Sequence, residues 1–153
     1  MVGDFAVGKT SLTQKFIKNV FSDRYVSTIG VKIDSVIVDD TKLVIWDVAG
    51  RDPLSPINTN YLVGASGIVF VGDGTRPSTV KALSALWETV AERIGEVPVV
   101  VALNKHDHED WSVGSDQISN FSNLGWDVFT TSAKEGENVK SLFECLVRKM
   151  SQK

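Results

Sequence analysis

A second cysteine is missing. Cys145 stands alone, so the chain can form no internal disulfide. Also missing is any apolar run near the ~20 residues needed to cross a bilayer. The start lacks the apolar segment of a signal peptide, because a glycine-containing stretch, GDFAVGKT, stands in its place. Basic residues are scattered through a chain of formal net charge −3, and no basic stripe is available to neutralise a nucleic-acid backbone. These absences set the expectation of a cytoplasmic protein with no nucleic acid as its primary partner. No repeat, low-complexity tract or linker divides the 153 residues, which are enough to bury one core, so residues 1–153 are read as one domain.

What is present alternates. VKIDSVIVDD and KLVIWDV are rich in β-branched residues and meet at Asp39-Asp40-Thr41, so Val31 to Val48 reads as a β-hairpin. GIVFVGD (Gly67 to Asp73), VPVVVALN (Val97 to Asn104) and WDVFTTS (Trp126 to Ser132) are nearly continuous apolar runs, the pattern of strands covered on both faces. Between them, helical spacing appears around Leu12, Phe16 and Ile17, from Val80 to Ile94, and from Val139 to Met150. The alternation predicts an α/β fold with a mostly parallel sheet, helices on both faces, and ligands at the carboxyl ends of the strands.

Gly3 to Thr10 spell G-x-x-x-x-G-K-T, the pattern of a phosphate-binding loop. Gly3 and Gly8 let successive N–H groups turn inward around a phosphate, and the helix starting near Lys9 adds its positive end. Lys9 is placed to reach β and γ phosphates, and the Thr10 hydroxyl to ligate Mg²⁺. The candidate phosphate-binding residues are therefore Gly3, Asp4, Phe5, Ala6, Val7, Gly8, Lys9, Thr10 and Ser11. This loop alone names neither the base nor the reaction.

NKHD, Asn104 to Asp107, follows an apolar strand, and a carboxylate held there can accept two hydrogen bonds from guanine, a pair that adenine does not offer. Ser132, Ala133 and Lys134 follow the next strand, where backbone N–H groups can meet the guanine carbonyl. The stems of Lys105 and Lys134 can lie along the base. His106 and His108 have no third ligand at a telling spacing, so they read as solvated surface and not as a metal site.

With GDFAVGKTSL, FSDRYVSTIGVKI, WDVAG, NKHD and TTSAKEGENV in order, the whole chain resembles the small Ras-like GTPases, particularly the Rab branch and its prokaryotic relatives. The resemblance implies a P-loop NTPase fold with a six-stranded sheet and one antiparallel edge strand. It implies that Phe21 packs on guanine, that Thr28 and Thr10 bind Mg²⁺, that Asp47 holds the ion through water, and that the Gly50 N–H meets the γ-phosphate. The loops around Thr28 and Gly50 would be switches whose order depends on that phosphate. Effectors, exchange factors and activating proteins would dock on them. The implied reaction is hydrolysis of GTP to GDP and phosphate, with Lys9, Thr28, Gly50 and Arg51 as the catalytic set.

Several residues depart from the family pattern. Arg51 stands where a glutamine usually orients the attacking water, and a guanidinium has no acceptor with which to do so. Phe5 adds bulk where many relatives keep glycine. Both predict slow intrinsic hydrolysis. Two other roles stay open for Arg51: an exposed switch residue with water positioned by another group, or a finger in cis. Pro53 and Pro56 predict an irregular start to the second switch. Trp46 and Tyr61 match two aromatic effector positions, but the third is Ile33, and for Trp46 core packing is an equal alternative.

The chain stops at SQK, without the prenylated tail of eukaryotic Rab proteins, so no membrane anchor is expected of it. GDFAVGKT, GVKID and DGTR suggest the bacterial Rab-like group that lacks such a tail. Only Met1 and Val2 precede the phosphate loop, so the first strand is expected to be truncated and further apolar residues to precede it in the native protein. The alternative function is a GTP- or GDP-binding module with negligible hydrolysis. A P-loop kinase is disfavoured, since the segments between strands are too short for an acceptor lid.

Overall fold

The computed structural model describes residues 1–52 and 54–152, so Pro53, one of the two prolines read as disturbing the second switch, lies outside the described residues. In chain order the elements are β1 (Val2–Gly3), α1 (Lys9–Lys18), β2 (Val31–Val38), β3 (Thr41–Val48), a 3-10 turn (Thr59–Leu62), β4 (Ile68–Asp73), α2 (Pro77–Ile94), β5 (Val99–Asn104), α3 (Ser115–Asn123), β6 (Asp127–Thr130) and α4 (Val139–Ser151). The hairpin turn is the two-residue kind, with Asp39 and Asp40 both at positive φ.

The six strands ladder as four plus two. β1, β4, β5 and β6 form a parallel sheet in that order, and β2 pairs antiparallel with β3. β1 is only two residues long, too short to carry a continuous ladder to β3. It is still held on both sides: Val2 and Gly3 register with Phe70 and Val71, while the Met1 amino group donates to Trp46 O at 2.8 Å and Arg51 N to Gly3 O at 3.2 Å. Burial pushes the pKa of that amino group down to about 5.

Alternation along the strands builds two cores. Val69, Val71, Val100 and Ala102 face Leu12 of α1 and Leu142, Phe143 and Leu146 of α4. Ile68, Phe70, Val99, Val101 and Leu103 face Val80, Leu83, Leu86 and Val90 of α2, with Phe121 and Trp126. Helices therefore cover both faces, as the near-continuous apolar strands predict. Phe70 is fully buried beside Trp87 and Trp126, so truncating it to alanine costs about 3–5 kcal/mol.

Helix α3 is absent from the sequence reading. Its segment SDQISNFSN is dominated by Ser and Asn, poor helix formers, and Phe121 is its one buried residue, so the period is hard to see. The hairpin removes core packing as the role of Trp46: Leu43 and Ile45 point inward, whereas Trp46 is 42% exposed opposite Ile33.

Candidate functional site

In the loop between β1 and α1 the carbonyls are engaged by other protein groups, while the N–H groups from Ala6 onward are left open. Lys9 Nζ donates to Gly3 O and Asp4 O, Arg76 Nη2 to Phe5 O, Lys105 Nζ to Ala6 O, Asn104 Nδ2 to Val7 O, and Leu12 N to Gly8 O. Among the described residues, the N–H groups of Ala6 to Ser11 have no protein acceptor. A row of open donors at a helix N-terminus is an anion site. Glycine is required at Gly8, whose φ is +103° and where a Cβ would lie 2.2 Å from Asn104 Nδ2. Lys9 is buried, and burial pulls its pKa down to about 8 against the opposing pull of Asp47 and Asp4.

Beside this loop, three oxygen-bearing side chains converge. Thr10 Oγ1 donates to Asp47 Oδ2, so the Thr28 hydroxyl donates to Thr10 Oγ1, at 2.9 Å. Asp47 Oδ1 is buried with no partner among the described residues, and burial raises the pKa of this carboxyl. Two hydroxyls and a carboxylate with an orphan oxygen are the donor set of a hard cation such as Mg²⁺, which fits here.

At the other end, buried Asn104 ties three loops together, giving a hydrogen bond to Val7 O and accepting from Thr131 Oγ1 and Ala133 N. Exposed Asp107 accepts from Ser132 Oγ at 2.7 Å, so the NKHD carboxylate is oriented by the SAK loop. His106 Nδ1 meets Glu137 at 2.9 Å, and its ring stands edge-on to Trp111.

A single cavity of about 860 Å³ runs from the phosphate loop to Asp107. Its wall includes Phe5, Ala6, Gly8, Lys9, Thr10, Ser11, Phe21, Thr28, Gly50, Asn104, Lys105, Asp107, Ala133 and Lys134. Gly3, Asp4, Val7, Asp47 and Ser132 stand behind this wall as supports.

Arg51 is not brought into the cavity. Its Nε lies 2.9 Å from Asp4 Oδ1 and its Nη2 3.4 Å from Oδ2, on the outer side of the phosphate loop. The backbone is tied there as well, since Phe5 N donates to Arg51 O. The preceding residue must be glycine, because a Cβ on Gly50 would lie 2.6 Å from Phe5 Cα. Across the cavity mouth, the Phe5 ring meets Tyr25 edge-on at a centroid distance of 5.2 Å.

Three positions that line or support the cavity are missing from the sequence reading: Tyr25, Asp73 and Arg76. Asp73 ends β4 fully buried and accepts from Thr75 N and Oγ1, Arg76 Nε and Lys105 Nζ. Burial pushes the Asp73 pKa up, but the bonds from Lys105, Thr75 and Arg76 together outweigh it and hold the carboxyl below its usual range. The signal was the stretch DGT, a carboxylate at the end of an apolar strand with Thr two residues on, the spacing of an Asx turn.

The family model described as Ras family matches residues 1–152. The Ras-related protein Rab-7L1 of Rattus norvegicus is 34% identical over 98% of this chain and 79% of its own length. The Ras-related protein SEC4 of Saccharomyces cerevisiae is 33% identical over 100% and 74%, and the mouse Ras-related protein Rab-3C is 35% identical over 96% and 68%. Likeness of this extent, reaching from the phosphate loop through the last helix, is that of common descent: the chain belongs to the Ras family and to its Rab-like branch of small GTPases.

Proposed function

We propose that residues 1–153 form one guanine-nucleotide-binding switch domain that takes up GTP or GDP with Mg²⁺ and hydrolyses GTP slowly to GDP and phosphate. Membership of the Ras family supports the GTP-binding and GTP-hydrolysing part of this reading. The observation that carries it is the continuity of one cavity wall from open phosphate-loop donors to an oriented Asp107.

Asp107 accepts from the guanine N1–H and amino group, the backbone of the Ser132–Lys134 loop meets the guanine carbonyl, and the stems of Lys105 and Lys134 with the Phe21 ring flank the base. The inward N–H groups and Lys9 hold the phosphates, and the positive charge of Lys9 offsets charge that develops between the β and γ groups. Thr10, Thr28 and Asp47 would hold Mg²⁺, which would supply charge neutralisation for the phosphates. Thr28 and the Gly50 N–H grip the terminal phosphate, and its loss frees both loops.

Slow turnover follows from two side chains. Arg51 is engaged by Asp4 and has no acceptor for water, and the Phe5–Tyr25 contact narrows the approach to the terminal phosphate. The same engagement of Arg51 favours a second reading, a nucleotide-binding signalling module with negligible hydrolysis. Single-turnover cleavage of GTP by the purified protein separates the two: slow but measurable cleavage supports the switch, and none over hours supports the module.

Effectors and regulators are read as docking on the switch loops and on the β2–β3 hairpin between them, where Ile33 and Trp46 are exposed side by side. A cytoplasmic setting belongs to this reading. Among the described residues no helix is long and apolar enough to cross a membrane. The bacterial placement rests on GDFAVGKT, GVKID and DGTR alone, and the relatives named above, all eukaryotic, add no support to it.

A further inference from the structure

We propose that Arg76 is a positioning residue of the phosphate loop, acting from outside the cavity by fixing the peptide that carries the Ala6 N–H. The proposal rests on reading the cavity as a nucleotide site. A trans peptide is planar, with its carbonyl and the following N–H pointing in opposite directions. Whatever holds Phe5 O outward therefore aims the Ala6 N–H inward. Arg76 Nη2 holds it, at 2.7 Å.

The same logic runs along the loop. Lys105 on Ala6 O aims the Val7 N–H, and Asn104 on Val7 O aims the Gly8 N–H. Those two belong to the NKHD motif. Arg76 comes from the connection between β4 and α2, and without it the Phe5–Ala6 peptide has no outer anchor among the described residues.

Ala6 needs anchors on both sides. Its φ of +59° is left-handed, a conformation that an L side chain rarely adopts, and it is bracketed by the bonds to Phe5 O and Ala6 O. Both donors lean on one buried carboxylate: Asp73 Oδ2 accepts from Arg76 Nε at 3.0 Å and from Lys105 Nζ at 2.7 Å. Asp73 is fixed in turn, its Oδ1 held by Thr75 and its backbone by Thr79 Oγ1. The planar guanidinium serves Asp73 and Phe5 O through two different nitrogens at a set angle, a task that the single nitrogen of lysine cannot reproduce.

The test compares GDP and GMP binding by calorimetry in the presence of Mg²⁺ for the parent protein, Arg76→Ala, Arg76→Lys and the exposed α2 control Lys81→Ala. With Arg76→Ala, affinity for GDP falls by about tenfold or more, the worth of one charge-assisted hydrogen bond, and affinity for GMP stays within about twofold. The Ala6 amide resonance of the GDP-bound protein moves, Arg76→Lys is intermediate, and Lys81→Ala matches the parent. GDP affinity left intact in Arg76→Ala, or lost equally for GDP and GMP, overturns the proposal. Should Arg76→Ala fail to fold, Arg76→Lys carries the test, and parental GDP affinity with an unmoved Ala6 resonance overturns it. A parent protein that binds neither nucleotide overturns the cavity reading along with it, an outcome distinct from intact binding in the variant.

Discussion

Arg51 grips Asp4 through two nitrogens, Nε at 2.9 Å and Nη2 at 3.4 Å, and so ties the first residue of the second switch to the outside of the phosphate loop. The residue that departs most clearly from the family pattern is thereby kept out of the cavity. Replacing it with glutamine removes the grip and restores an acceptor for water. Arg51→Gln is expected to raise the single-turnover rate of GTP cleavage by about tenfold or more, the scale of one positioned polar group. An unchanged rate would mean that another group positions the water. The pair is partly exposed, so its loss costs no more than about 1 kcal/mol in urea unfolding.

Phe5 and Tyr25 meet edge-on across the cavity mouth and link the phosphate loop to the first switch. Phe5→Ala removes a contact worth about 0.5–1.5 kcal/mol, so release of a fluorescent GDP analogue should quicken several-fold in stopped flow. Tyr25→Ala should give a similar increase, and the double variant should exceed neither by much, because both remove one contact.

In the proposed function the Asp107 carboxylate offers guanine two acceptor sites. In Asp107→Asn one becomes an NH₂ donor facing the donors of guanine, so GDP affinity should fall by about a hundredfold or more. Xanthine carries a carbonyl where guanine has its amino group, and xanthosine diphosphate should then bind better than GDP. Competition binding with the two nucleotides reads this directly.

Acid sensitivity is expected at Asp73. Its folded pKa lies below the ordinary carboxylate value of 3.8, so the folded state binds fewer protons than the unfolded one in that range. The stabilisation is complete above 3.8 and is lost as pH falls through the folded value. Asp73→Asn should cost about 2 kcal/mol at pH 7, because Arg76 and Lys105 lose their buried counter-charge, and this difference should shrink toward pH 3. Urea unfolding across that range provides the check.

Much of this site could be read before the structure, because its parts are tied to residue type. A lysine after Gly8, a hydroxyl residue after that, and a carboxylate two residues past Lys105 carry the phosphate and base signals. The hairpin and the central strands were legible for a similar reason, since continuous β-branched runs bounded by turn residues leave few alternatives. Asp73 and Arg76 escaped because their targets are backbone carbonyls, which every residue carries. Phe5 O is 71 residues from Arg76 in sequence, and no spacing rule connects them. Arg51 stands out in the sequence for the acceptor it lacks, whereas its partner Asp4 lies 47 residues away and carries no signal beyond its place in the loop. Helix α3 was hidden by its composition, with one buried anchor, Phe121, in nine residues.

The proposed function requires one cavity to read both guanine and a chain of phosphates. Calorimetric titration of the nucleotide-stripped protein with GDP and with ADP, each with Mg²⁺, tests it most directly. Submicromolar GDP binding is expected, with ADP binding weaker by about a thousandfold or more, since adenine leaves the Asp107 carboxylate without donors. Equal affinity for the two, or preference for ADP, would contradict it.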